Sequence, residues 1–244
     1  MKRYLLTIEY DGTNFSGWQK QKGQRTVQEE IEKVLENISG HNVKLEASGR
    51  TDAKVHALNQ TAHVDLEINI PVCNLVNVIN NLLPSDICIK KVKIVKDNFH
   101  ARFDIKEKTY LYKIYTGETR SALKENYYCF IKYDLDFSLM QECANLLIGE
   151  HDFSAFCSSK TNSENYIRTI YSLLIKKKNK EIYFEVTGNG FLYNMVRIIV
   201  GTIIDVGRGF LSLEKIKEAL KTGDRSLTGT TLIANGLYLK QTKY

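Results

Sequence analysis

The sequence has only two prolines, Pro71 and Pro84, in 244 residues, and no Gly/Ser-rich or single-residue tract. It therefore offers no flexible linker. Its five cysteines, at positions 73, 88, 129, 143 and 157, are odd in number, widely spaced and without a CxxC pair. That excludes a disulfide framework or a zinc knuckle. The five histidines form neither HExxH nor His-x-His. His56 and His63, seven apart in an alternating strand, are expected on opposite faces, so no metal site is expected. No stretch approaches the roughly 18 apolar residues of a membrane helix. The apolar run behind Met1 is too short and too soon charged for a signal peptide. A cytoplasmic protein with no membrane segment is the expectation.

What is present is the balance of a folded chain: 43% hydrophobic and 25% charged residues. The length suffices for one large domain or two modest ones with real cores. A net charge of +6 favours a polyanionic partner without proving one. Lysines and arginines gather at Lys90, Lys91, Lys93 and Lys96, at Arg102, Lys106 and Lys108, and at Lys176, Lys177 and Lys178. Each cluster taken singly reads equally well as solvated surface.

Periodicity organises the chain into two halves. "RYLLTIEYDG" reads as a strand closed by an Asp-Gly turn. Thr26 and Glu29 form a capping-box signature for the helix "VQEEIEKVLENIS", with Gly40 as its stop. "VKLEAS" and "TAHVDLEI" read as strands, "CNLVNVINNLL" as a helix up to Pro84, and "ICIKKVKIV" as a strand. The second half repeats the rhythm with strand "KTYLYKIYT", helix "SLMQECANLLIGE", and the strand pair "TIYSLLIKKK" and "EIYFEVTG" around Asn179. An apolar helix from Leu192 to Val206, the helix "LEKIKEALKTG" and a last strand "GLYLKQ" complete it. Strands come in antiparallel-capable pairs with helices between pairs. The expected fold is therefore α+β, two similar α/β halves with antiparallel or mixed sheets flanked by helices. The expected boundary separates residues 1–105 from 106–244, with a basic cleft between the halves as the ligand site.

One stretch carries chemistry. "ASGRTDAKVHALNQTAHVDL" sets Asp52 between Arg50 and Lys54 at the mouth of a strand. Alone, such a turn reads as a solvated loop. A carboxylate nucleophile, however, must stay ionised and reachable, and neighbouring cations serve both needs. Gly49 permits close approach of a ligand, and Arg50 and Lys54 supply phosphate-binding charge.

"GRTDAKVHA" resembles the active-site motif of the tRNA pseudouridine synthase A family. Four further segments agree in the family's order: "EYDGTNFSGWQKQ", "NFHARFDIKEKTYLYKI", "DFSAFCSS" and "GNGFLYNMVRIIVGTIIDVGRG". The resemblance runs from about Tyr4 to Leu239. It implies an isomerase that turns uridine into pseudouridine in the anticodon stem-loop of tRNA, at positions 38, 39 and 40. By the same resemblance Asp52 is the nucleophile, Arg50 enters the stack the target base has left, and Tyr110 lies against the uracil. A homodimer that contacts tRNA through both subunits is also implied.

Arg197 stands on a helix otherwise mostly apolar, where a cation is costly unless paired. Its expected partner is Asp52. The reaction breaks the N-glycosidic bond of a flipped base, rotates the base and rejoins it through C5. No hydride, phosphate donor or metal enters, in keeping with the absence of GxGxxG, P-loop and zinc signatures, and no cofactor is expected. Attack by Asp52 on C1′ of the sugar or on C6 of the uracil both satisfy these residues.

Two positions depart from the family pattern. Lys54 stands where the family usually has Gly, and it is strained there if the position requires a positive φ. "GTTLIANGLYL" lacks the family's usual Pro. Both fit a divergent paralogue with altered site choice. A non-catalytic RNA-binding protein on the same scaffold is a second alternative. A phosphotransferase working through an aspartyl phosphate is disfavoured, because no second acidic pair for Mg²⁺ lies near Asp52.

Overall fold

The computed structural model describes residues 1–158 and 165–244. The chain forms two compact units, Met1–Lys106 with Tyr238–Tyr244, and Glu107–Leu237. The last seven residues thus return to the first unit.

The first unit is built on β1 (Lys2–Tyr10), which buries every second residue: Tyr4, Leu6, Ile8 and Tyr10 point inward. It lies antiparallel between β3 (His56–Leu66) and β4 (Ile87–Ile94), pairing Leu6 with Ala62 on one side and Val92 on the other. The short β2 (Glu46–Ala47) adds to β3, and the last strand, β10 (Leu237–Lys243), joins β3 in parallel through Tyr238 and Leu239. The strand expected over "VKLEAS" contracts to β2, whereas the one expected at Thr61 already begins at His56.

α1 (Val27–Ser39) turns Ile31, Val34 and Leu35 to the core and ends at Gly40, whose φ of 75° is the left-handed stop glycine supplies without strain. The expected capping box does not form, because the Thr26 hydroxyl makes no cap bond. The Gln28 N–H, one of the two donors a capping hydroxyl takes, goes instead to the Trp18 carbonyl at 3.0 Å, beside a bond from Val27 N–H to the Gly17 carbonyl at 3.3 Å, and the buried Thr26 hydroxyl is left without a hydrogen-bond partner. α2 (Val72–Leu82) stops at Leu83, held extended at ψ 150° ahead of Pro84.

The second unit carries an antiparallel run in the order β5 (Glu107–Thr116), β9 (Glu181–Gly188), β8 (Ile167–Lys178) and β7 (Gly149–Asp152), with β6 (Cys129–Ile131) parallel to β5. Tyr112, Ile114, Phe184, Val186 and Leu173 form one buried face. β8 and β9 meet at Asn179, whose φ of 55° suits a tight hairpin. α3 (Phe137–Leu146), α4 (Met195–Gly207) and α5 (Leu213–Thr222) are the helices of this unit. Among the described residues both units are thus α+β with five strands each, with two helices in the first and three in the second, the general plan expected of the two halves.

Candidate active site

Two sequence motifs prove to be one structure. The Asp52 loop leaves β2 and enters β3, and the "DGTNFSGW" segment after β1 is its bed. Trp18 N–H donates to the Thr51 carbonyl at 3.0 Å and Lys54 N–H to the Phe15 carbonyl at 3.3 Å. The Tyr10 and Thr51 hydroxyls are 2.7 Å apart, both buried. From below, Gln60 Nε2 donates to the Gly49 carbonyl at 2.9 Å, and Ser48 Oγ donates to Gln60 Oε1 at 2.6 Å. The fit is close enough to dictate glycine: a Cβ on Gly12 would stand 2.1 Å from the Val55 carbonyl oxygen. Gly17, at φ +93°, would likewise press on the Thr51 carbonyl at 2.7 Å.

Within this frame Asp52 to Val55 forms a tight turn closed by Val55 N–H on the Asp52 carbonyl at 3.2 Å. Asp52 is half-buried, while Arg50 and Lys54 are exposed. Lys54 takes a φ of 65°. That is the left-handed conformation a turn's third position commonly assigns to glycine, so the lysine is strained there. Ionisable groups pinned on a rigid turn meet the first requirement of nucleophilic catalysis, a fixed and accessible carboxylate.

The other two predicted residues belong to the second unit. Tyr110, on β5, is half-buried and meets Phe191 edge to face, ring centroids 5.1 Å apart. Every residue of α4 is buried except Arg197, which is half-buried. Its Nε donates to the Leu232 carbonyl at 2.6 Å and its Nη1 to Asn194 Oδ1 at 2.7 Å. Asn194 opens α4 with a φ of 60° and makes no helix cap; its side chain holds Arg197 and donates to Ser158 Oγ at 3.0 Å. The segment bearing Leu232 packs backbone to backbone on α4, where a Cβ on Gly201 would lie 1.9 Å from the Thr230 carbonyl oxygen. Arg225 ties the same segment down through Thr228 and Thr231, at 2.7 and 3.1 Å.

Sequence reasoning missed these supports: Thr51, Gln60, Gly12 and Gly17 in the first unit, and Asn194, Arg225 and the Leu232 carbonyl in the second. Only the glycines and the Asn before "MVR" left a readable trace. The motif "DFSAFCSS" ends at Ser159, which lies outside the described residues. The Lys90, Lys91, Lys93 and Lys176–Lys178 clusters are exposed strand positions.

Glu46, His63 and His100 bring donor atoms within 4.8 Å of one another. Both imidazoles, however, accept backbone N–H groups at Nδ1, His63 from Ala101 at 3.2 Å and His100 from Arg102 at 3.1 Å. A metal-binding histidine needs its second nitrogen as a donor. This cluster instead anchors the loop 97–104.

The chain matches the family model described as tRNA pseudouridine synthase over residues 6–104 and 143–244. It is 45% identical to the tRNA pseudouridine synthase A of Anoxybacillus flavithermus, over 100% of this chain and 99% of that one. It is equally similar to that of Caldicellulosiruptor saccharolyticus, 45% identical with both chains covered in full. A protein of Bacillus cereus named tRNA pseudouridine synthase A 1 shares 40%. The chain belongs to the tRNA pseudouridine synthase family. A looser likeness joins it to a crystal structure titled as an archaeal box H/ACA sRNP Nop10-Cbf5 complex, with a TM-score of 0.38 and 13% identity over 91% of this chain and 59% of that one. So loose a likeness carries no weight. Among the described residues, no helix is long and apolar enough to cross a membrane.

Proposed function

We propose that the protein isomerises uridine to pseudouridine in tRNA, at positions 38, 39 and 40 of the anticodon stem-loop, with Asp52 as nucleophile. The observation that carries this reading is the family membership over the whole chain, together with a half-buried Asp52 on a turn gripped by the "DGTNFSGW" segment. In the reaction the N1–C1′ bond breaks, the base rotates, and a C5–C1′ bond forms while C5 gives up a proton and N1 takes one. Reactant and product are isomers, so no cofactor is consumed. The target base leaves the stack first, and Arg50, exposed two residues before Asp52, is suited to fill its place. Tyr110, propped by Phe191, offers a ring for the flipped uracil. Arg197, with its planar fork oriented by Leu232 and Asn194, is the group proposed to hold Asp52 ionised and aimed. The proposed working form is a cytoplasmic homodimer.

Asp52→Asn tests the central assignment. It preserves shape and removes the nucleophile, so the variant should fold and bind tRNA but form no pseudouridine. Pseudouridine formation at the wild-type rate would refute the role of Asp52. Mapping pseudouridine in tRNA from a strain lacking the gene separates the site choice: unchanged modification at 38, 39 and 40 would point to a paralogue acting elsewhere. A monomer in light scattering would count against the dimer.

A further inference from the structure

We infer that Phe103 and Arg102 form a stacking platform for an unpaired base of the tRNA, separate from the residues proposed to act on the target uridine. The inference rests on tRNA being the substrate.

Phe103 is 74% exposed, so its ring is open to a ligand. It is not on a loose tip. The loop that carries it is fastened at nearly every residue. His100 N–H donates to Asp104 Oδ2 at 2.8 Å, and Asp104 N–H returns to the His100 carbonyl at 3.0 Å. Arg3 Nη1 donates to the Phe99 carbonyl at 2.8 Å, and the Tyr244 hydroxyl donates to the Ala101 carbonyl at 2.9 Å. The His63 and His100 bonds described above hold Ala101 and Arg102. A ring ladder then rises out of the core: buried His63 meets His100 edge-on at 4.7 Å, and His100 backs Phe103 at 4.2 Å and 31°. One side of the phenyl ring is thereby supported and the rest is open to solvent.

Arg102 supplies the charge. It is exposed, with its guanidinium carbon 5.8 Å from the centre of the Phe103 ring. Between residues 90 and 106 the chain has six Lys and Arg against two Asp. A preorganised aromatic ring beside a cation, in a basic surround, fits a nucleic-acid base with its phosphate. A paired base offers no open face, so the occupant is an unpaired nucleotide.

The experiment measures affinity for an unmodified tRNA transcript, with pseudouridine formation on the same transcript as a separate readout. Phe103→Ala and Phe103→Leu should weaken binding about fivefold to a hundredfold, the span of one stacked base, whereas Phe103→Trp should stay within about threefold of wild type. Melting temperatures should not change, since the ring is exposed. Arg102→Gln should lower the slope of log affinity against log salt by about 1, and Phe103→Ala should leave that slope alone. Wild-type affinity in Phe103→Ala, or equal affinity in the Leu and Trp variants, overturns the platform while leaving the isomerase reading intact. A wild-type protein that neither binds nor modifies the transcript overturns both. If Phe103→Ala instead changes the oligomeric state in light scattering with tRNA affinity intact, the ring is a contact between copies and the inference fails.

Discussion

Lys54 invites a test in which backbone strain and charge separate cleanly. Its φ of 65° places a side chain in the left-handed region, at a cost of about 1–2 kcal/mol for a non-glycine residue. Lys54→Gly removes that cost but gives the unfolded chain more freedom, an offset of about 0.5–1 kcal/mol. The net expectation is a stabilisation of about 0.5–1 kcal/mol. For a chain of this size that is a rise in melting temperature of about 1–4 °C. Lys54→Ala carries the same Cβ, keeps the strain and should melt within about 1 °C of wild type. Both variants lose the same exposed cation. If Lys54 meets RNA phosphate, both should therefore lose tRNA affinity equally, with a salt slope lowered by about 1. Calorimetry or urea unfolding gives the first comparison and tRNA titration at several salt concentrations the second. Equal stability of the Gly and Ala variants would refute the strain argument, because it predicts a difference only where the Cβ matters.

Gly12→Ala should destabilise by about 1–3 kcal/mol and depress turnover more than tRNA affinity, since its Cβ would collide with the Val55 carbonyl at 2.1 Å and push on the Asp52 turn; chemical denaturation with single-turnover kinetics checks it. Arg197→Lys keeps the charge but cannot serve Leu232 and Asn194 through one planar fork, so single-turnover rates should fall well below wild type with tRNA affinity little changed, and Arg197→Ala should fall further. Burial, aided by the nearby Arg3 and His100, holds the His63 pKa below its ordinary 6.5. The unfolded chain then takes up that proton first on acidification, so the stability contributed by neutral His63 is fully present above about pH 6.5 and is lost as pH falls below it. His63→Asn, whose Oδ1 can still accept from Ala101 N–H, should flatten the loss measured by urea unfolding between about pH 7.5 and about pH 5; an unchanged slope would remove His63 from the account.

Local pattern alone determined a good deal here. Alternation in "RYLLTIEY" dictated β1 because a half-buried strand has a period of two, and the 3.6-residue period with Gly40 behind it set the course and the C-terminal end of α1. The residue types in "GRTDAKVHA" raised Asp52, Arg50 and Lys54 as candidates, and the resemblance of five segments in family order, not the turn alone, gave them roles. Other features depend on groups far apart in sequence. Whether Thr26 caps α1 depends on a distant loop, whose Trp18 carbonyl takes the Gln28 N–H. Whether Lys54 needs a positive φ was decided by the Phe15 carbonyl and the closing bond from Val55. The apolar periodicity of α4 marked Arg197 as out of place, and its partner Asn194 lies only three residues before it, but the Leu232 carbonyl reaches it through how the 229–233 segment packs against Gly201. The return of β10 to β3 is likewise tertiary, because a strand's own residues encode its alternation but not which neighbour takes its hydrogen bonds.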